Sequence, residues 1–160
     1  MLGQPDFDEL EEKFVLNAEK LIDLSETEKM ALVKSRIGQS KFKEKLMEKY
    51  GEKCAICSMK YKELLVASHV KEWSESAPQE RIDKENGLLL CAVHDSVFDK
   101  HLISFDEQGK MIISPKLEEK EREVFHLTEN YSIIMSAKMK EYMKYHRKKF
   151  DEKSSAGGNS

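Results

Sequence analysis

No stretch of this sequence stays apolar for the roughly 20 residues that a helix needs to cross a bilayer, and residues 6–12 are acidic where a secretory signal would be basic. A membrane partner is therefore not expected, and a cytoplasmic or nucleoid location is. Cysteine is scarce and odd in number: a framework made only of disulfides would leave one of the three unpaired, and in a reducing compartment metal binding is the better reading. A basic excess is missing too. The net charge is −3, whereas a nucleic-acid partner usually leaves a basic footprint. Lysine and arginine do gather locally, at Lys34, Arg36, Lys41, Lys43, Lys45 and Lys49 and again at Lys138, Lys140, Lys144, Arg147, Lys148 and Lys149. Glutamates between them neutralise much of each cluster, and the plain reading is two solvated helix faces. No internal repeat is evident.

What is present suits one compact domain with a modest core, since 160 residues at 39% apolar and 36% charged is ordinary for a soluble, helix-rich chain. Residues 6–24 carry Phe7, Leu10, Phe14, Leu21 and Leu24 at spacings compatible with a helical stripe. Ser25 with Glu28 reads as a capping box opening a helix toward Val33, and a further helix fits residues 39–50, where Phe42, Leu46 and Tyr50 recur every four residues before Gly51. The middle changes character. Residues 64–67 and 88–90 are short and apolar, as buried strands are, and residues 74–85 are polar with Pro78, hence a loop. Residues 102–105 and 111–114 flank "DEQGK", whose Gly109 suits a hairpin turn. After Pro115 the pattern turns helical, with Thr128 as N-cap and Tyr131, Ile134, Met135, Met139, Tyr142, Met143 and Tyr145 as a packing face. The tail "SSAGGNS" reads as disordered.

Cys54 and Cys57 form C-x-x-C, and Cys91 and His94 form C-x-x-H after a long intervening stretch. Two short pairs, each on its own backbone turn, are how tetrahedral structural zinc sites are usually assembled. Taken alone, C-x-x-C also fits a redox pair, though no thioredoxin-like strand and helix surround it. His69 closes the first apolar run by itself, which more often marks a satisfied structural histidine than a catalyst. If the two runs pair antiparallel, however, His69 and Asp95, at the start of "DSVFDKH", face a common space.

These residues resemble the HNH endonucleases of the ββα-metal type: "ASHV" supplies the first histidine, His69; "ENGLLL" supplies Asn86; "CAVHD" supplies the start of the helix. The similarity runs from about Arg36 to Ser114, through "RIGQSKF", "EKYGEKCAIC", "LLVASHVKEW" and "GKMIIS", in the manner of HNH domains of restriction-type enzymes. It implies an α+β fold, a ββα-metal core with a structural zinc site, flanked by N- and C-terminal helices and followed by a β-hairpin. The expected organisation is a helical extension over residues 1–35, the nuclease domain over 36–116, C-terminal helices over 117–153 and a disordered tail over 154–160. On the family pattern Cys54, Cys57, Cys91 and His94 hold zinc and Asp95 holds the catalytic cation, so the third letter of H-N-H becomes Asp. The other register, with His94 on the active metal and the zinc site incomplete, stays open at this point. His101 stands where similar sequences have glycine.

The implied activity is metal-dependent hydrolysis of DNA, double-stranded by expectation, in a restriction or defence setting. His69 would be the general base, Asp95 the ligand of Mg²⁺ or Mn²⁺, and Asn86 a brace for the loop that carries His69. Asp99 is either a second ligand or a plain helix-surface acid. Lys71, Arg81, Lys84 and Lys100 are candidates for phosphate contacts, and Trp73 either packs on the core or stacks on a base. A homodimer and a monomer are both open. Two further readings compete: a zinc-stabilised nucleic-acid-binding module without catalysis, which would bind but never cut, and a thiol redox protein, which would be indifferent to Asp95→Ala.

Overall fold

The computed structural model describes residues 25–156; the apolar stripe at residues 6–24 and the last four residues lie outside the described part. The chain opens with α1 (Glu26–Lys49), capped as the Ser25 and Glu28 pair suggests: the Ser25 hydroxyl accepts from the Glu28 amide and the Glu28 carboxylate from the Ser25 amide. One continuous helix replaces the two separate ones expected here. Next come β1 (Leu65–His69), a short α2 (Pro78–Arg81), β2 (Gly87–Cys91), α3 (Ala92–Asp99), the hairpin strands β3 (Ile103–Phe105) and β4 (Met111–Ile113), a short α4 (Glu119–Val124), and α5 (Ala137–Ser155).

Strands β1 and β2 pair antiparallel, with Leu65 opposite Cys91 and His69 opposite Gly87. A two-stranded ribbon is marginal by itself, so its stability must come from what covers it. Every residue of β2 is buried: α1 delivers Phe42 and Leu46 to it, and α3 packs against the ribbon through Val97 and Phe98. Gly87 is required where α1 crosses, because a Cβ there would stand 2.5 Å from Phe42 Cζ and 2.8 Å from Leu46 Cδ1. The result is the expected ββα unit followed by a hairpin, in an α+β fold.

The C-terminal third differs from the sequence reading. The last helix starts at Ala137 with Ser136, not Thr128, as its N-cap, and Ile134 is exposed on the segment before it. That segment is extended because it adds to the hairpin: Met111 N–H donates to Tyr131 O, and Ile133 N–H to Gly109 O. Gly109 has φ +83°, and any side chain there would collide with the Ile133 carbonyl. At its other end α5 carries through Ser154 and Ser155.

Met139, Met143 and Phe150 of α5 are buried, and its polar side chains reach the loop between β1 and β2. Lys149 Nζ bridges Glu72 (2.8 Å) and Glu75 (2.9 Å), and Tyr142 and Lys138 both reach Asp83. From α1, Lys49 pairs with Glu85 at 2.8 Å. Part of each basic cluster is therefore spent on the acids of this loop rather than forming a free solvated face. Surface pairs of this kind are individually weak, but together they hold the loop between two helices.

Candidate active site

Four side chains meet beside the junction of β2 and α3. The ligand atoms of Cys54, Cys57, Cys91 and His94 all lie within 4.8 Å of one another. Cys54 and Cys57 come from a tight turn in which the Cys54 amide donates to Met59 O and the Ser58 amide to Cys54 O, while Ala55 N–H ties the turn to Leu89 O of β2. Cys91 is the N-cap of α3, which sets His94 one turn along on the same side. His94 Nδ1 faces the thiols, 3.4 Å from Cys91 Sγ and 3.9 Å from Cys54 Sγ, and its Nε2–H donates to Phe125 O and His126 O. That second bond fixes the tautomer with Nδ1 unprotonated, the usual arrangement behind a metal-ligating imidazole. Burial pushes the Cys57 thiol up to about 12 and raises that of Cys91. At Cys54 burial also opposes ionisation, but the facing His94 ring and backbone amides outweigh it and bring the thiol to about 6. Three crowded thiols cannot all ionise without added positive charge, and this S₃N donor set fits a metal such as zinc. His94 points into this cluster, which disfavours the register that put it on a second metal.

His69, at the end of β1, lies flat on Phe42 with ring centroids 4.2 Å apart and planes 9° from parallel. Its Nε2 lies 2.8 Å from Arg81 O. A carbonyl only accepts, so Nε2 carries the proton and Nδ1 keeps the lone pair. Burial lowers the imidazole pKa, with the Arg81 carbonyl opposing. The neutral ring is thus the prevailing form at pH 7.

Asn86 is fully buried and ties together the loop that supplies that carbonyl. Its Oδ1 accepts from the Lys71 amide (2.8 Å), and its Nδ2 donates to Glu80 O (3.0 Å) and Ser76 Oγ (3.3 Å). Nothing in these contacts reaches the open groove.

That groove, about 480 Å³, runs between β1 and α3 and is lined by His69, Asp95 and Asp99 together with Ser68, Glu72 and His101. Asp95 accepts a hydrogen bond from Ser68 Oγ; burial raises its pKa, and the charge of Asp99 one turn along raises it further. Among the described residues no lysine or arginine offsets this. Hard oxygens short of positive charge suit a divalent cation that keeps most of its own waters.

Several groove residues went unremarked in the sequence. Ser68 is one. His146 on α5 is another: it is buried, donates from Nε2 to Phe98 O, accepts from Ser104 at Nδ1 and stacks on Phe98 at 3.8 Å. Its spacing from Met139, Tyr142, Met143 and Phe150 was the available signal. His101, in the place of the expected glycine, has φ +58° and stacks on His146 at 4.4 Å. Of the proposed phosphate contacts, Lys71 is turned to Glu80 and the Tyr145 ring, and neither Lys84 nor Lys100 lines the groove. Trp73 is half-buried at the groove wall rather than in the core, with the Arg81 guanidinium 3.6 Å above its ring.

A family model of HNH endonucleases matches residues 54–106, from the first zinc-type cysteine to just beyond β3. The match supports the HNH resemblance read from the sequence over this segment, which is similar to nuclease-type HNH domains. No curated protein matches the chain. Among the described residues no helix is long and apolar enough to cross a membrane.

Proposed function

We propose that this HNH domain is a metal-dependent DNA endonuclease in which His69 is the general base and Asp95 holds the catalytic cation. The observation that carries the reading is the bond from His69 Nε2 to Arg81 O. It presents a neutral imidazole, with its lone pair on Nδ1, in the same groove as a carboxylate that has no cationic partner among the described residues. Such a base accepts the proton of an attacking water, a contribution worth roughly 10²- to 10⁴-fold in rate. A divalent cation, Mg²⁺ or Mn²⁺, bound at Asp95 would stabilise charge on the phosphate and on the departing oxygen. Phe42 and the Arg81 carbonyl orient the base, Asn86 orients the loop that provides the carbonyl, and Ser68 orients Asp95. The Cys54, Cys57, Cys91 and His94 cluster with zinc fixes the start of α3, and with it the position of Asp95. The likeness to restriction-type domains favours foreign DNA as the target.

The test is a supercoiled plasmid incubated with and without Mn²⁺, beside zinc quantification. Nicking or cutting that needs the cation and is lost in His69→Ala, with about one zinc per chain in both proteins, is the expected outcome. Binding without cleavage under any divalent cation would leave a zinc-stabilised nucleic-acid-binding module instead.

A further inference from the structure

The groove does not end at the candidate catalytic groups. Trp73 and Gln39 form its far wall, and the same two side chains line a second chamber of about 140 Å³ between α1 and α2. The two spaces therefore adjoin, with the indole shared between them. Their chemistry differs. The first contains Glu72, Asp95 and Asp99, whereas the second has no acidic residue among the described residues of its lining and includes Lys34 and Arg81. Arg81 lines the second chamber but not the first, so its guanidinium backs the indole from that side. Its Nε donates to Trp73 O at 2.9 Å, which locks ring and guanidinium as a unit.

We infer that this Trp73 and Arg81 unit, with Lys34, is a subsite for one unstacked nucleotide next to the scissile phosphate of DNA. The inference rests on the nuclease reading for the location of that phosphate. An acidic end suits a cation, and a cationic end with a fixed aromatic plate suits a base and the phosphate attached to it. Stacking on a protein ring needs an open base face, which a nucleotide inside a duplex lacks because its neighbours cover both faces. The substrate is thereby narrowed to DNA that is single-stranded or distorted beside the cut. Locking the ring in advance lowers the ordering cost of binding.

Trp73 is the sole tryptophan, so its emission reports on this subsite alone. Full-length His69→Ala, zinc-loaded and without added divalent cation, is titrated with a single-stranded oligonucleotide and with the blunt duplex of the same sequence, and binding is followed in parallel by anisotropy of labelled DNA. The expected result is a saturable emission change with the single strand at lower concentration than with the duplex. Trp73→Ala should weaken single-strand binding roughly 5- to 150-fold, with Trp73→Phe recovering most of the loss and Lys34→Glu weakening it independently. Oligonucleotide binding that leaves the emission unchanged, equal affinity for duplex and single strand, or no binding at all would overturn the inference. If Trp73→Ala fails to fold, the emission of the intact indole still decides. Cation-dependent plasmid cleavage beside a silent tryptophan would sink this inference alone, and a saturable emission change without cleavage would sink the nuclease reading alone.

Discussion

Replacing Asn86 by Ala separates a brace from a passive turn residue. The substitution removes an acceptor from the Lys71 amide and a donor from the Glu80 carbonyl, both in the loop between β1 and β2. Ser76 keeps its own bonds to Lys71 O and Glu72 O, and the Glu80 carbonyl keeps the amides of Ile82 and Asp83, so only the Lys71 amide loses its partner. At about 1–3 kcal/mol for a buried backbone group left unsatisfied, that is the expected cost, with water entering the space favouring the low end. For a chain of this size about 2 kcal/mol lowers Tm by roughly 4–8 °C. Arg81 belongs to the same loop, so His69 should lose its orienting carbonyl and cleavage should fall further than the unfolded fraction explains. Asn86→Asp is the companion: it can keep the acceptor for Lys71 but turns an oxygen toward the Glu80 carbonyl, which favours its protonated form. Its stability should therefore drop as pH rises, unlike that of Asn86→Ala. Thermal melts and plasmid nicking at one fixed zinc loading measure both effects. An Asn86→Ala protein that melts with the parent and cuts as fast would refute the brace.

Cys57→Ala should lose the bound zinc and melt far below the parent, whereas His69→Ala should keep zinc and fold and lose cleavage; equal melting of the two would contradict this division. Gly87→Ala should cost about 1–3 kcal/mol in a denaturant titration, because the added methyl meets buried Phe42 and Leu46, and it should also slow cleavage because Phe42 cannot shift without the His69 ring. His146 is held neutral, with its pKa pulled down from 6.5 to about 3 by burial and by neighbouring His101. Its contribution is thus complete above pH 6.5 and lost as pH falls toward 3, about 3 kcal/mol by pH 4.5, and His146→Gln should show an acid loss smaller by that amount. The acid limb of the cleavage rate, set by His69, should lie below pH 6.5, and a limb above that value would place the base elsewhere.

The features legible in the sequence are those that short-range chemistry dictates. The capping box at Ser25 and Glu28, the paired-cysteine spacing, the unbroken apolar run of β2 and the Gly109 turn each state their structure within a few residues. What escaped notice depends on partners far along the chain. Residues 128–136 look helical by spacing, but the hairpin edge offers Tyr131 and Ile133 backbone bonds that a helix would forgo. The lysines of α1 and α5 look solvated until the acids between β1 and β2 are placed beneath them. The site behaves likewise: His69, Asn86 and Asp95 stood out through their resemblance to known motifs, while Ser68, His101 and His146 join the groove only through tertiary contact.

The side chains of α5 close the core and steady the segment that orients His69, yet α5 is made after everything it steadies. A growing polypeptide could assemble the thiol cluster and the ribbon while the acids at 72, 75 and 83 still lacked their lysines. Competence to cut would then arrive late in synthesis, after residue 150 is in place, sparing the cell a partly built nuclease.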